Sequence, residues 1–346
     1  MKFDCPLPFN DNEKINLAHG GGGRRMARLI QEIILPHFPD CDVENIHDGA
    51  ILEFGSERLA FTTDSFVVTP QFFPGGNIGD LAINGTLNDL AMCGAQPLYL
   101  SCAFILEEGY SMESFRQVLV SMGDAATSAG VGLITGDTKV VDHGKGDGIF
   151  ITTTGIGHVM PGAMIDPRRV QSGDVVIING PVGDHGMAIM CQRENLAIQG
   201  ELASDTRTLH EETAAIINQF GEDIHCLRDM TRGGLATVMN EIAQTANATI
   251  HLDEGSIPVN APTKSACELL GIDPLYVANE GKLAIFAAAG IGEDILETLR
   301  KTNRLNRPVI IGRVGNLEGP RVILRGVLGG SRILDLLSGE QLPRIC

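Results

Sequence analysis

Leu59-Ala60-Phe61-Thr62-Thr63-Asp64 reads as the middle of a strand over 58–68, which delivers Asp64 and Ser65 at or near its end. Residues 77–92 then read as a helix. At about 100° per residue, Asp89 shares a face with Ile78, Ala82, Gly85 and Met92, and Asp80 falls on the opposite side near Asn84. Burying an unpaired carboxylate costs free energy, so Asp89 requires a cation or hydrogen-bond donors. Asp80 reads as a helix-start acid favoured by the dipole. A strand that ends on an acid, followed by a helix with an acid on its inner face, is the unit from which a mixed α/β fold is built.

Further along, 97–106 reads as a strand and 112–129 as a helix stopped by Gly130. Val131-Gly132-Leu133-Ile134-Thr135 reads as a buried strand running into Gly136-Asp137-Thr138-Lys139 and a glycine-rich loop at 142–148. A metal acid, a hydroxyl and a cation within a few residues are the parts of a phosphate site. A plain turn with solvated charges is the alternative. Another strand spans 149–159, and the Pro- and Gly-containing stretch from Met160 to Asp174 reads as a linker.

The second half repeats the pattern. A strand at 175–179 leads through Gly180, Gly183 and Gly186 into a helix containing Met187 to Met190. The glycine spacing does not match a dinucleotide fingerprint, and His185 reads as a turn or packing residue. A strand at 224–227 ends on Arg228-Asp229. The loop Met230-Thr231-Arg232-Gly233-Gly234 follows, then a helix with Leu235, Val238, Met239, Ile242 and Ala243 along one stripe. A helix at 260–271, a turn at Asn279-Glu280-Gly281, a strand at 283–288, a helix at 293–301 and strands near 309–314 and 322–324 complete it. The expected organisation is two α/β domains, 1–165 and 166–335, with a tail at 336–346.

Both ends of the chain carry features of their own. Gly20, Gly21, Gly22 and Gly23 precede an amphipathic helix with Met26, Leu29, Ile30, Ile33 and Ile34, ended by Pro36. Exposed N–H groups in such a run can cradle an anion, and a flexible entry loop is the other reading. The chain ends Pro343-Arg344-Ile345-Cys346. Pro343 disfavours a helix running into it and gives no N–H to a sheet, so a thiol sits at the tip of a mobile arm, or of a frayed terminus.

The bulk numbers narrow the function. At 346 residues the chain has room for about two domains. A net charge of −17 argues against binding bare nucleic acid but suits nucleotide phosphates bridged by a cation held on carboxylates. No stretch of about 18 apolar residues suggests a membrane span, and Pro6 with the acidic residues after it does not fit a signal peptide; a cytoplasmic location is expected. The eight cysteines form no CxxC pair and are expected to be mostly inert.

Four stretches in order, Phe61 to Ser65, Ile78-Gly79 through Asn88 to Ala95, Gly136 to Lys139, and Asp229 to Gly234, resemble the aminoimidazole ribonucleotide synthetase-like ATP-binding superfamily over nearly the whole chain. Within it, Gly20 to Gly23 after His19, Asn279-Glu280-Gly281-Lys282 and the terminal Pro-Arg-Ile-Cys resemble the HypE family of NiFe-hydrogenase maturation factors. The resemblance implies homodimers paired through their N-terminal domains, with ATP near the interface. It implies Mg²⁺ on Asp64, Asp89, Asp137 and Asp229, and a nucleotide contacted by the four glycines, Gly136, Thr138, Gly233 and Gly234. It also implies that Cys346 receives a carbamoyl group from the carbamoyltransferase HypF. ATP-dependent dehydration leaves a thiocyanate, and the cyanide passes to iron held by HypC–HypD. Lys139 is then expected to stabilise developing charge, or to form a structural ion pair. Glu280 is expected to take the amide proton, or to be a turn acid paired with Lys282. A selenophosphate synthetase-like phosphotransferase and a non-catalytic scaffold are the competing functions. The residues before Asn16 depart from the family pattern, and the resemblance assigns them no role.

Overall fold

The computed structural model describes residues 14–38, 47–305, 307–316, 319–337 and 345. Its first half runs α1 (Arg24–Arg28), β1 (Ala50–Phe54), β2 (Glu57–Phe66), the short pair β3 (Phe72–Phe73) and β4 (Gly76–Asn77), α2 (Ile78–Met92), β5 (Ala95–Glu107), α3 (Met112–Ser128), β6 (Gly132–Val141) and β7 (Ile149–Val159). Five strands form a sheet in the order β1-β2-β7-β5-β6, in which only β5 and β6 run parallel. Successive residues of a strand point to opposite faces. Ala60, Thr62, Asp64 and Phe66 therefore face inward, and Phe61, Thr63 and Ser65 face away. The inner face packs on α2, which comes close because residue 85 is glycine: an added Cβ would lie 2.8 Å from the Phe66 ring.

The start of α2 follows from its cap. The Asn77 side chain accepts from Gly79 N at 2.8 Å, and Asp80 accepts from Asn77 N at 2.6 Å. Asp80 thus closes a capping box, a more specific role than a dipole acid. Two expectations fail in this half. The helix after the glycines does not stay α-helical to Ile34: α1 widens into a π-helical turn over Leu29–Ile34, then tightens over Leu35–His37 with Pro36 inside it. The strand expected to be buried at 131–135 is the exposed edge strand β6. Pairing with β5 continues to Val141 opposite Glu107, so Gly136-Asp137-Thr138-Lys139 lie within a strand and not in a loop. Gly136 is required there, because a Cβ would collide with the Cys102 carbonyl oxygen.

The second half gives β8 (Val175–Ile178), α4 (Asp184–Arg193), α5 (His210–Phe220), β9 (Ile224–Asp229), α6 (Gly234–Thr245), β10 (Thr249–Asp253), α7 (Ala261–Leu270), β11 (Leu283–Ala287), α8 (Gly292–Thr302), β12 (Val309–Val314), β13 (Arg321–Arg325) and β14 (Ser331–Ile333). Seven of these strands pair in the order β14-β13-β10-β12-β8-β11-β9, all antiparallel except β10 with β13. Val176 and Ile178 join a core with Met239 and Ile242 of α6. Val175 and Ile177 join another with Ile216 and Ile217 of α5 and Ile295 and Leu299 of α8. Burial on both faces explains why β8 and β11 read as unbroken apolar runs. The second core also takes in Leu90, Ala91 and Met92, so the end of α2 is packed between the two halves.

Ile345, the last residue but one of the sequence, is docked rather than free. It is 3% exposed and belongs to the buried cluster that contains Phe66, Phe73, Ile189 and Ala278. Burying such a side chain stabilises by about 1.5–3 kcal/mol. The rest of the expected mobile arm, 338–344 and Cys346, lies outside the described residues, as do residues 1–13 with Cys5.

Candidate functional site

The inner face of β2, the last turn of α2 and the end of β9 converge on one acidic cavity. Asp64 comes from β2, Asp89 from α2 and Asp229 from β9, as the sequence led us to expect. Asp48, just before β1, joins them and was not anticipated. Carboxylate oxygens of Asp48, Asp89 and Asp229 lie within 4.8 Å of one another. Glu280 reaches the same cavity, which has a volume of about 260 Å³ and is also lined by Gly22, Arg228 and Arg232. A second cavity of about 450 Å³, lined by Gly23, Ala27 and Leu336, shares Gly22, Met26 and Ile30 with it.

Each acid is held by neighbours. Asp89 Oδ2 accepts from Thr62 Oγ1 at 2.7 Å, and Asp64 Oδ1 accepts from Ser65 N at 2.8 Å, with Arg232 at 3.9 Å. Arg228 Nε stands 2.8 Å from Asp48, and its Nη2 stands 2.8 Å from Glu241. Burial works against the Arg228 charge, but Asp48 and Glu241 outweigh it and hold its pKa up. The carboxyls themselves are raised, first by burial and then by one another. Asp89 is lifted well above its usual range by burial and by Asp229 and Asp48; Asp229 by burial and Asp48; Glu280 by burial and Asp229.

The backbone of Glu280 is tied down on both sides. Its N–H donates to Asp205 Oδ1 at 3.0 Å, and its carbonyl accepts from Asn88 Nδ2 at 3.2 Å. The alternative reading of Glu280, a turn acid paired with Lys282, does not hold: Lys282 pairs with Asp205 at 2.7 Å. Glu280 Oε1 and Asp48 Oδ2 are buried with no hydrogen-bond partner among the described residues. Oxygen donors with unsatisfied lone pairs in a cluster of this kind fit a hard divalent cation.

Other expected residues stand elsewhere. Asp137 and Lys139 form an exposed ion pair at 2.9 Å on β6 and do not line the cavity, nor do Gly136 and Thr138. Lys139 and the Thr138 N–H hold the Asp137 carboxyl below its usual range. Gly233 and Gly234 do not line the cavity either; both have positive φ, and an added Cβ on Gly234 would lie 2.5 Å from the Val277 carbonyl oxygen. Their role in this chain is the turn into α6. Of the four glycines before α1, Gly22 lines both cavities and Gly23 one; Gly20 and Gly21 line neither.

The AIR synthase related protein profiles match this architecture, the N-terminal domain over residues 46–159 and the C-terminal domain over 171–325. The carbamoyl dehydratase HypE of Azotobacter vinelandii is 46% identical over 335 residues, which cover 97% of this chain and 98% of that protein. The chain belongs to the HypE family. A HypE structure in complex with ATP has a TM-score of 0.80 and 43% identity, covering 96% of this chain and 100% of that one. In a HypE–HypF complex the match has a TM-score of 0.85 and 42% identity, covering 89% of this chain and 99% of that chain.

For a HypE-family chain the crowding of acids has a measurable consequence. A raised carboxyl pKa means that the folded state holds the proton more tightly than the unfolded state. Burial of Asp89, Asp229 and Glu280, together with their mutual repulsion, therefore costs stability increasingly as pH rises from the ordinary carboxyl range into their raised range. Asp229→Asn is expected to raise the melting temperature of the cation-free protein, by about 2–4 °C for each ~1 kcal/mol of repulsion removed. The same change is expected to abolish the upward shift that a divalent cation gives the parent. Thermal scans with and without cation check this, and a retained cation shift would contradict it. Because binding requires ionised carboxylates, cation affinity is expected to rise with pH and binding to release protons, measurable by calorimetry in buffers of different ionisation enthalpy.

Proposed function

We propose that this chain uses ATP and Mg²⁺ to dehydrate a carbamoyl group on the sulfur of Cys346 to a thiocyanate, the source of cyanide for NiFe-hydrogenase iron. Its HypE-family membership supports the reaction class. The observation in this chain that carries the reading is Glu280: a carboxylate with an unpartnered buried oxygen, standing in the acidic cavity on a loop fixed by Asn88 and Asp205.

An amide oxygen is a poor leaving group, and phosphorylation makes it a good one. The carbamoyl oxygen attacks the γ-phosphorus of ATP, and the bond from that phosphorus to ADP breaks. One N–H proton passes to solvent as the oxygen is phosphorylated, and Glu280 accepts the second as the C–O bond breaks, phosphate leaves with the electron pair and the C≡N bond forms. The surroundings that raise the Glu280 pKa also make its ionised form a stronger base. Asp48, Asp89 and Asp229 would hold Mg²⁺, with Asp64 beside them; when bound, the ion neutralises triphosphate charge. Asp137 lies outside this set.

Lys139 enters through a homodimer. The outer face of the first sheet exposes Phe61, Tyr99, Ile105 and Ile134, an apolar area suited to a second copy. Pairing there would bring β6, and with it the partner subunit's Asp137 and Lys139, toward a cavity that each chain alone leaves without them. HypF is the proposed carbamoyl donor, in line with a relative solved in that complex, and HypC–HypD the proposed acceptor, in the cytoplasm.

Mixing two inactive variants tests the assembled site. Lys139→Ala and Glu280→Gln subunits, exchanged at random, are expected to recover roughly a quarter of parental dehydration, because half of the dimers are mixed and each has one intact site. No recovery would place both residues in one subunit's site.

A further inference from the structure

His185 takes no part in the reaction described above, yet it is fully buried at the start of α4 and touches the end of the chain. Its Nε2 lies 2.9 Å from the carbonyl oxygen of Ile345, and its Nδ1 lies 2.7 Å from Ser204 Oγ. A carbonyl can only accept, so Nε2 carries the proton and donates it. Ser204 Oγ accepts from Thr206 N at 3.1 Å, which leaves its hydroxyl proton for Nδ1. The ring is thereby fixed in one neutral tautomer, in keeping with burial lowering its pKa. Phe73 meets the ring edge to face, with centroids 5.6 Å apart.

The other side of this contact leads to the proposed base. Asp205, next after Ser204, accepts from the backbone N–H of Glu280 at 3.0 Å and from Lys282 at 2.7 Å. One short segment therefore joins the residue that holds the tail to the loop that holds Glu280.

We infer that His185 is a positioning residue: it grips the Ile345 backbone while Phe73, Ile189 and Ala278 seat the side chain, which fixes the residue before Cys346 to the segment that carries Asp205 and the Glu280 loop. Consecutive Cα atoms are about 3.8 Å apart, so anchoring residue 345 restricts the reach of the thiol that follows. The backbone bond is indifferent to sequence, and the apolar seat selects a branched aliphatic residue before the cysteine. The inference takes Cys346 as the carrier from the proposed function, but its first test needs no activity.

That test is the rate of Cys346 alkylation by iodoacetamide in the full-length protein, quantified on the C-terminal peptide. Buried Cys93, Cys102, Cys191, Cys226 and Cys267 serve as reporters of an intact fold. His185→Ala is expected to speed Cys346 alkylation about tenfold, the effect of losing roughly one hydrogen bond, with the five buried thiols unchanged. His185→Gln, which restores an N–H donor, is expected to return toward the parental rate. In turnover, His185→Ala is expected to lower kcat by a similar factor and leave KM for ATP alone. An unchanged alkylation rate would overturn the inference. Should His185→Ala expose the buried thiols as well, Ile345→Gly decides with His185 intact: faster Cys346 alkylation supports the seat, and a parental rate overturns it. A protein that guards Cys346 through His185 yet forms no thiocyanate would keep the seat and overturn the proposed reaction.

Discussion

A chain carrying Cys346→Ala is expected to bind MgATP as the parent does and to form no thiocyanate. The loss is total because the sulfur is the atom on which the reacting group is carried, and among the described residues the remaining cysteines are buried and none lines the acidic cavity. Nucleotide binding is spared because the acids that would hold the cation come from β2, α2, β9 and the stretch before β1, none of which depends on the tail thiol. Tethering the substrate makes the phosphoryl transfer effectively intramolecular, so a small molecule in solution cannot replace the lost carrier at ordinary concentrations. A phosphotransferase acting on a free ligand would keep its activity in this variant. A scaffold would hydrolyse no ATP in either protein. Calorimetric ATP binding, alongside assay of the carbamoylated parent and variant, separates the three.

Glu280→Gln is expected to slow dehydration by about 10²–10⁴-fold with ATP affinity within about twofold of the parent. Loss of a general base gives an effect of this size, and the substitution is close to isosteric. The loop itself should not move, since Asn88 and Asp205 hold the backbone of residue 280 and Lys282 is neutralised by Asp205. Removing a buried carboxyl that burial and Asp229 push far up also relieves repulsion, so this variant is expected to melt no lower than the parent. Single-turnover conversion of carbamoylated protein measures the first effect. Parental turnover in Glu280→Gln would mean that the amide proton leaves to another group.

The parts of this site that follow a local period were legible in the sequence. Asp64 faces inward because strands alternate, and Asp89 faces inward because of its helical phase with Ile78, Ala82 and Gly85. Asp48 was not legible, since His47-Asp48-Gly49 belongs to no periodic element. Its one local signal is Gly49, where an added Cβ would lie 3.0 Å from Cys93 Sγ and 3.1 Å from the Phe61 carbonyl oxygen. An apolar run such as Leu133-Ile134 looks buried in isolation, but whether an edge strand is covered depends on a neighbouring chain, which no local pattern encodes. Long-range pairing was equally hidden: Lys282 meets Asp205, 77 positions away, in preference to Glu280 two positions away. The contact between His185 and Ile345 spans 160 positions and turns a residue read as packing into one that holds the tail.

The most direct measurement is the mass of the C-terminal peptide from protein carbamoylated on Cys346, before and after incubation with MgATP. The account predicts the loss of one water from that residue, dependent on both ATP and the divalent cation and absent in Glu280→Gln on the same timescale. A carbamoylated Cys346 whose mass stays unchanged while ATP is hydrolysed would contradict it.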